Sequence, residues 1–114
     1  MNIQYVYAAA YVRDMDSSVA FYTRLLGREP DDRPMESLVQ WRGFGEAGIQ
    51  LFKDAAKAGS SRMTLVIPDL AKTKADLENA HIELAHIQEG EFGKVAQVTD
   101  PDGNMITLAE PPKK

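Results

Sequence analysis

Apolar and polar residues follow a strand pattern and then a helix pattern near the start of the chain. Residues 3–12 are rich in β-branched and aromatic side chains, which predicts a strand. Residues 16–26 carry apolar side chains at helical spacing, with Asp16 as the expected N-cap, Asp14 as the alternative and Gly27 at the C-terminal end. Three further strand signals follow, the first of them interrupted by prolines. The first half therefore has the predicted order βαβββ.

The same order recurs after a small, polar segment, residues 54–61, which we interpret as a linker. The shift along the chain that carries Val12 onto Ile67 also carries Asp14 onto Asp69, so the second strand and helix align with the first. Three more strand signals complete the repeat. The sequence predicts the α+β class, with two βαβββ units at about residues 3–54 and 61–111 in one domain spanning 1–114.

Composition narrows the possible partners and compartments. The net charge is −4 and no basic stripe is present, which argues against a nucleic-acid partner. The absence of cysteine excludes disulfides, thiolate ligands and a cysteine nucleophile, and it suits a reducing cytoplasm. The first residues lack the pattern of a signal peptide, and no apolar run reaches membrane-spanning length. We expect a cytoplasmic protein with no membrane partner.

Two motifs at opposite ends of the chain resemble a known family. The turn Asp-Pro-Asp-Gly-Asn at 100–104 lies between the predicted strand 94–99 and a closing strand, and residues 11–27 supply the second motif. Together with the repeat, they resemble the vicinal oxygen chelate superfamily, which contains glyoxalase I, extradiol dioxygenases and bleomycin-resistance proteins. The resemblance implies a curved mixed sheet with helices on its outer face. It also implies a homodimer that shares the ligand site between subunits.

Metal-using members of this family bind a divalent ion with His, Glu, His and Glu, taken from the first and last strands of each unit. The corresponding positions here are Tyr7, Gln50, Arg62 and Thr107. None carries the ligand that the family uses, and the positive charge of arginine repels a divalent cation. The sequence therefore predicts no metal site and no cofactor.

Strand alternation places an aromatic lining with a few polar groups on the inner face of the fold, which is the usual composition of a small-molecule pocket. The predicted ligand-binding residues are Tyr7, Trp41, Gln50, Phe52, Arg62, Gln97 and Thr107. Tyr5, Tyr11 and Thr64 are expected on the same face. A buried arginine needs a partner, so Arg62 is expected to meet either a carboxylate on the ligand or Glu110. Alternatively, the rings fill the hollow or lie at a subunit contact.

Catalytic chemistry finds little support on this face. No histidine or carboxylate is predicted there, and Glu46, Asp54 and Glu110 are expected in solvent at strand ends. The favoured interpretation is a metal-independent protein that binds a planar or aromatic compound, similar to the bleomycin-resistance type. One alternative is a lyase or dioxygenase of the glyoxalase type whose metal ligands lie in a different register. The other is a structural or interaction module with a filled cleft.

Overall fold

The computed structural model describes residues 1–113, so Lys114, the last residue of the predicted domain range, lies outside the described residues. The strands are β1 (Val6–Val12), β2 (Asp32–Met35), β3 (Leu38–Phe44), β4 (Ala47–Lys53), β5 (Arg62–Val66), β6 (Ala85–Gly90), β7 (Gly93–Thr99) and β8 (Met105–Glu110). The helices are α1 (Met15–Leu26), between β1 and β2, and α2 (Leu70–Asn79), between β5 and β6. Neither helix is long and apolar enough to span a bilayer, within the described residues.

The strands form two four-stranded sheets, ordered β1-β4-β3-β2 and β5-β8-β7-β6. In each sheet the first and last strands of a unit pair in parallel, and the remaining pairs are antiparallel. The predicted α+β fold with two βαβββ units is confirmed. Edge strands β1 and β5 lie beside each other where the two sheets meet, and we call this junction the seam.

The hydrogen-bonded register repeats between the two sheets. Gln40 lies opposite Gln50 in the first sheet, and Gln97 lies opposite Thr107 in the second, so these two cross-strand pairs are equivalent. The edge strands β1 and β5 pair with β4 and β8 in an equally matched register. Strands β1 and β5 therefore align in the structure in the same way as they align in the sequence. Equivalent positions in the two units can thus be compared residue by residue.

Both helices begin at an aspartate. The carboxylate of Asp14 accepts a hydrogen bond from the backbone N–H of Asp16 at 3.3 Å. At its other end, α1 stops at Gly27, where φ is 77°. The expected N-cap, Asp16, is therefore wrong, and the alternative Asp14 is the cap. The reason is Met15, which is 4% exposed and already belongs to the buried stripe of the helix. Asp69 caps α2 in the same way.

Each helix covers one face of its own sheet and leaves the other face uncovered. The apolar core between α1 and the first sheet includes Tyr22, Val39, Trp41, Ile49 and Leu51, all at most 2% exposed. The core of the second unit includes Leu70, Leu77, Ala96, Ile106 and Leu108. The opposite face of each sheet, called the open face below, carries half-buried and exposed side chains, and in the first sheet also the buried Leu38 opposite Phe52. The open faces are the inner faces that the sequence predicts.

The start of the first strand differs from the prediction. The first strand begins at Val6 rather than at residue 3, because its parallel partner β4 begins at Ala47, opposite Val6. The sixth strand begins at Ala85, three residues after Ile82. Ile82 is buried, and its backbone N–H donates to the carbonyl of Leu77 at 2.8 Å, so it still belongs to the end of α2.

Candidate functional site

The open face of the first sheet carries three aromatic side chains, two of which have close neighbours. The Tyr5 ring lies 4.9 Å from the Tyr7 ring between centroids, and the Lys57 ammonium lies 5.1 Å above the Tyr11 ring. Tyr7, Tyr11 and Phe52 are all half-buried, and the Tyr11 and Phe52 rings lie 6.0 Å apart between centroids. The Tyr7 ring lies over Gly48, where an added Cβ would come within 2.8 Å of the ring. Gly48 therefore leaves the space that Tyr7 occupies. These rings form a partly exposed apolar surface suited to stacking on a planar molecule.

Two glutamines lie beside the rings. The Gln50 side chain donates from Nε2 to Oε1 of Gln40 at 3.0 Å, and both residues are half-buried. This contact uses one donor of Gln50 and the acceptor of Gln40. The amide oxygen of Gln50 and the amide nitrogen of Gln40 therefore keep hydrogen-bonding capacity toward a ligand.

The open face of the second sheet carries several polar side chains among apolar ones. Gln97 and Thr107 lie opposite each other and are half-buried, while Arg62 and Thr64 are exposed on edge strand β5. Among residues 1–113 the Arg62 side chain has no hydrogen-bond or ion-pair partner. The expectation that Arg62 is buried is wrong, because no helix or strand of residues 1–113 covers the open face of β5.

Glu110 does not supply the partner that was considered for Arg62. It is only 7% exposed and lies on the helix side of β8. Its Oε1 accepts a hydrogen bond from the backbone N–H of Leu70 at 2.8 Å, at the start of α2. The prediction that Glu110 is solvated is therefore wrong. Its carboxylate satisfies a backbone donor and lies at the positive end of the helix dipole.

Trp41 also lies away from the open face. It is fully buried, its ring packs against Tyr22 with 6.2 Å between centroids, and its Nε1 donates to the carbonyl of Arg28 at 2.9 Å. The prediction that Trp41 faces the ligand is wrong. Its cross-strand partner is Ile49, which faces α1, and residues directly opposite each other share a face of the sheet.

The four family metal positions do not form a metal site here. Tyr7, Gln50, Arg62 and Thr107 all lie on the open faces, but the set contains no imidazole and no carboxylate. In the part of the chain that the structure describes, no three His, Cys, Asp or Glu side chains group closely enough to hold a metal ion. Both histidines are exposed. The donor set therefore does not fit the divalent ion of the metal-using relatives.

A buried polar network ties the two units together at one end of the seam. The Tyr22 hydroxyl donates to Oδ2 of Asp100 at 2.7 Å. The Asn104 amide donates to the same oxygen and to the Tyr11 carbonyl, both at 2.8 Å. Its Oδ1 accepts from the backbone N–H of Ser61, again at 2.8 Å. One carboxamide therefore holds β1, the linker and the turn before β8 in place.

The sequence predicts Asp100 and Asn104 only as turn residues and does not reveal this network. Asp100 is 4% exposed and Asn104 is 1% exposed, so both are core residues as well as turn residues. The available signal was Tyr22, which brings a polar tip into the apolar stripe of α1 and so needs a buried partner. Burial, reinforced by the nearby charge of Asp100, raises the pKa of Tyr22. The hydroxyl therefore acts as a structural donor and not as an acid–base group.

The architecture defines a class: two βαβββ units with uncovered sheet faces that carry aromatic and polar side chains. The family model described as Glyoxalase/Bleomycin resistance protein/Dioxygenase superfamily matches residues 4–108. The chain belongs to this superfamily. No curated protein sequence matches it significantly.

Solved structures agree with this assignment. A glyoxalase/bleomycin resistance protein from Catenulispora acidiphila is 26% identical, covers 96% of this chain and 100% of its own, and has a TM-score of 0.89. TnmS3, an antibiotic-binding protein from Streptomyces sp. CB03234, is 25% identical over 98% of this chain and 99% of its own, with a TM-score of 0.83. A lactoylglutathione lyase from Agrobacterium tumefaciens is 24% identical over 92% and 91%, with a TM-score of 0.74, and supports the fold alone.

Proposed function

We propose that the protein binds a planar or aromatic small molecule on its open faces, without a metal ion. The observation that carries this proposal is the partly exposed surface of Tyr7, Tyr11 and Phe52 beside the paired glutamines. Aromatic rings that are half-buried gain contact area when a flat molecule stacks on them. Antibiotic binding by TnmS3, a structural relative over nearly the whole chain, supports a ligand of this kind.

The second sheet adds polarity to the proposed ligand. Arg62 offers a guanidinium without a partner in the described chain, and Gln97 and Thr107 offer hydrogen-bonding groups nearby on the same face. An arginine fork recognises carboxylate and other planar oxygen groups. We therefore propose a flat ring system that bears an acidic or carbonyl group.

A second copy of the chain is the proposed cover for this site. In a single chain both open faces are exposed to solvent along their length. Pairing the first open face of one copy with the second open face of another would bring rings and guanidinium to opposite sides of one cleft. This arrangement corresponds to the shared site that the family resemblance implies.

The binding proposal is tested by titrating the purified protein with a panel of planar aromatic antibiotics in isothermal calorimetry. For a compound that binds, Phe52→Ala is expected to weaken the affinity about tenfold, because it removes one stacking surface. Phe92→Ala removes an exposed ring in the β6–β7 turn and serves as the matched control, with unchanged affinity expected. Equal effects of the two substitutions would contradict binding at the open face. The absence of any binding would favour the interaction-module alternative.

Metal independence needs its own measurement. Protein purified without added metal is analysed for Zn, Ni, Fe and Mn, and the titration is repeated in excess EDTA. We expect substoichiometric metal and unchanged affinity, since Tyr, Gln, Arg and Thr replace the imidazole and carboxylate ligands. One metal ion per chain that resists dialysis would instead support the lyase or dioxygenase alternative.

A further inference from the structure

A cavity of about 880 Å³ lies at the other end of the seam from the polar network. Most of its walls belong to the helix-covered side of the sheets, away from the open faces. Leu25 from α1 and Leu77 from α2 contribute to its helical walls, and Ala8 from β1 lies between them. Tyr7 and Thr64 also line it, at the point where the two edge strands meet.

The cavity exists because this end of the seam carries smaller side chains than the end that the polar network fills. The alignment of the two helices carries Tyr22 onto Leu77, and the register of the two sheets carries Ala47 onto Asn104. Leu77 and Ala47 both line the cavity. The hydroxyl and the carboxamide that bridge the units at the first end therefore have no counterparts here. The seam stays open and its walls are mostly apolar.

The depth of the cavity distinguishes it from a flat surface patch. Its lining includes Ile49 and Leu108, which belong to the apolar core and are each 2% exposed. At the mouth, Val6 and Val66 are large apolar residues that remain more than half exposed. Its volume lies in the range of roughly 300–1,000 Å³ that is usual for small-molecule pockets. A compact molecule can fill such a space, whereas a broad protein surface cannot enter it.

The two charged side chains that line the cavity, Arg24 and Asp76, already have hydrogen-bond partners. Arg24 donates from Nη1 to the Ala80 carbonyl at 3.1 Å, which links the ends of the two helices. Asp76 accepts from Lys72 on the same helix at 3.2 Å. No other charged side chain lines this space in the described residues. The chemistry of the walls therefore selects an uncharged ligand, because a buried charge without a partner is costly.

We propose that this cavity is a second binding site, distinct from the stacking surface on the open faces, for a compact, neutral and largely hydrocarbon ligand. The occupant is a small molecule, and its binding fills the gap between α1 and α2 that the smaller side chains leave. The site does not depend on the function proposed for the open faces, and either can fail without the other.

The test uses 1-adamantanol, a compact neutral hydrocarbon alcohol that has no planar ring to stack on the open faces, titrated into the full chain and followed by calorimetry. We expect saturable binding of one probe per chain. Ala8→Phe fills the cavity and is expected to weaken probe binding at least about tenfold, since ligand and side chain compete for one volume. Phe92→Ala removes an exposed ring that lies outside both the cavity and the open faces, and it is expected to leave probe binding unchanged.

Methyl NMR of the unsubstituted chain keeps the test decisive if Ala8→Phe does not fold. The probe is expected to shift selectively the methyl signals of Leu25, Leu65 and Leu77, which all line the cavity. Shifts confined to other residues would overturn the proposal. Unsaturable binding, or binding lost in Phe92→Ala but kept in Ala8→Phe, would also overturn it.

Sedimentation across a dilution series addresses a second copy of the chain as the occupant. Probe binding that is independent of protein concentration is the expected result. Probe binding that rises as dimers dissociate would assign the cavity to a subunit interface and overturn the proposal.

Discussion

The two ends of the seam have equivalent positions in the duplicated backbone but opposite chemistry. At the tied end, Tyr22, Asp100 and Asn104 form a buried polar network. At the opposite end of the seam, called the cavity end below, the equivalent positions include Leu77 and Ala47, and a cavity takes the place of the network. Duplication therefore repeats the fold without repeating the interactions between its halves. One end holds the units together, and the other leaves space.

This difference has an energetic consequence. A buried donor or acceptor that loses its partner costs about 1–3 kcal/mol, so the tied end is sensitive to single atoms. Apolar walls beside an existing cavity lose few contacts when a nearby exposed side chain changes. Substitutions at equivalent positions should therefore have very different effects on the free energy of unfolding.

The largest effect is expected for Asn104→Ala. The substitution leaves the Ser61 N–H and the Tyr11 carbonyl without the partner they have in the folded chain. We expect the free energy of unfolding to fall by about 3 kcal/mol, measured by urea denaturation. Asn79→Ala, an exposed asparagine at the end of α2, is the matched control with little change expected. A loss no larger than that of the control would contradict the role assigned to the network.

The next largest effect is expected at high pH, where the raised pKa of Tyr22 makes the free energy of unfolding fall. Its pKa is raised in the folded state, first by burial and then by Asp100, so the folded hydroxyl keeps its proton where the unfolded one loses it. The stabilisation is complete below the unfolded pKa of about 10 and falls by about 1.4 kcal/mol per pH unit above it. Urea denaturation between pH 8 and about 11 should show this slope in the wild type. Tyr22→Phe should make the free energy of unfolding fall less steeply with pH. Equal slopes in the variant and the wild type would contradict the assignment to Tyr22.

At neutral pH, Tyr22→Phe is expected to cost less. Oδ2 of Asp100 still accepts from Asn104 after the hydroxyl is removed, so no acceptor is left without a partner. We expect a loss of about 1 kcal/mol in the free energy of unfolding, the usual net value of one hydrogen bond. Tyr7→Phe, on the open face, is the control and should change the unfolding midpoint much less. A larger change in the control than in Tyr22→Phe would refute the assignment.

The smallest effect on the free energy of unfolding is expected at the cavity end of the seam. Ala47→Asn places at this position the side chain of its equivalent, Asn104, but Ala47 is exposed. The N–H of Val6, the equivalent of Ser61, already donates to the Glu46 carbonyl at 3.3 Å. We expect the free energy of unfolding to change by less than about 0.5 kcal/mol. An increase in the free energy of unfolding of several times that amount would mean that a single carboxamide can link the two units at the cavity end.

The sequence predicts most of the fold because each strand has one covered face. Ile49 and Leu51 alternate with Gln50 and Phe52, and this period of two fixes which side meets the helix. The repeat is visible for the same reason, since each unit buries one stripe of one helix. The open-face positions of Tyr7, Gln50, Phe52, Gln97 and Thr107 follow from alternation alone.

Residues whose environment depends on register or on distant contacts could not be placed in this way. Val39 and Trp41 lie in a strand with apolar residues on both faces, and only the pairing of Trp41 with Ile49 decides its orientation. Glu110 ends a strand and resembles a solvated residue until α2 is placed above it. Asp100 satisfies the rules for a turn, and its burial comes from Tyr22, 78 residues earlier in the chain.

Metal-independent binding on the open faces is tested most directly by the position of a planar ligand in a crystal structure of the complex, grown without added metal. We predict that ring atoms of the ligand lie within about 4.5 Å of Phe52 and Tyr7. Its oxygen groups should point toward Arg62 of the same chain or of a second copy. A metal ion held between the ligand and the positions of Tyr7, Gln50, Arg62 and Thr107 would contradict this prediction. So would a ligand that leaves both open faces uncovered.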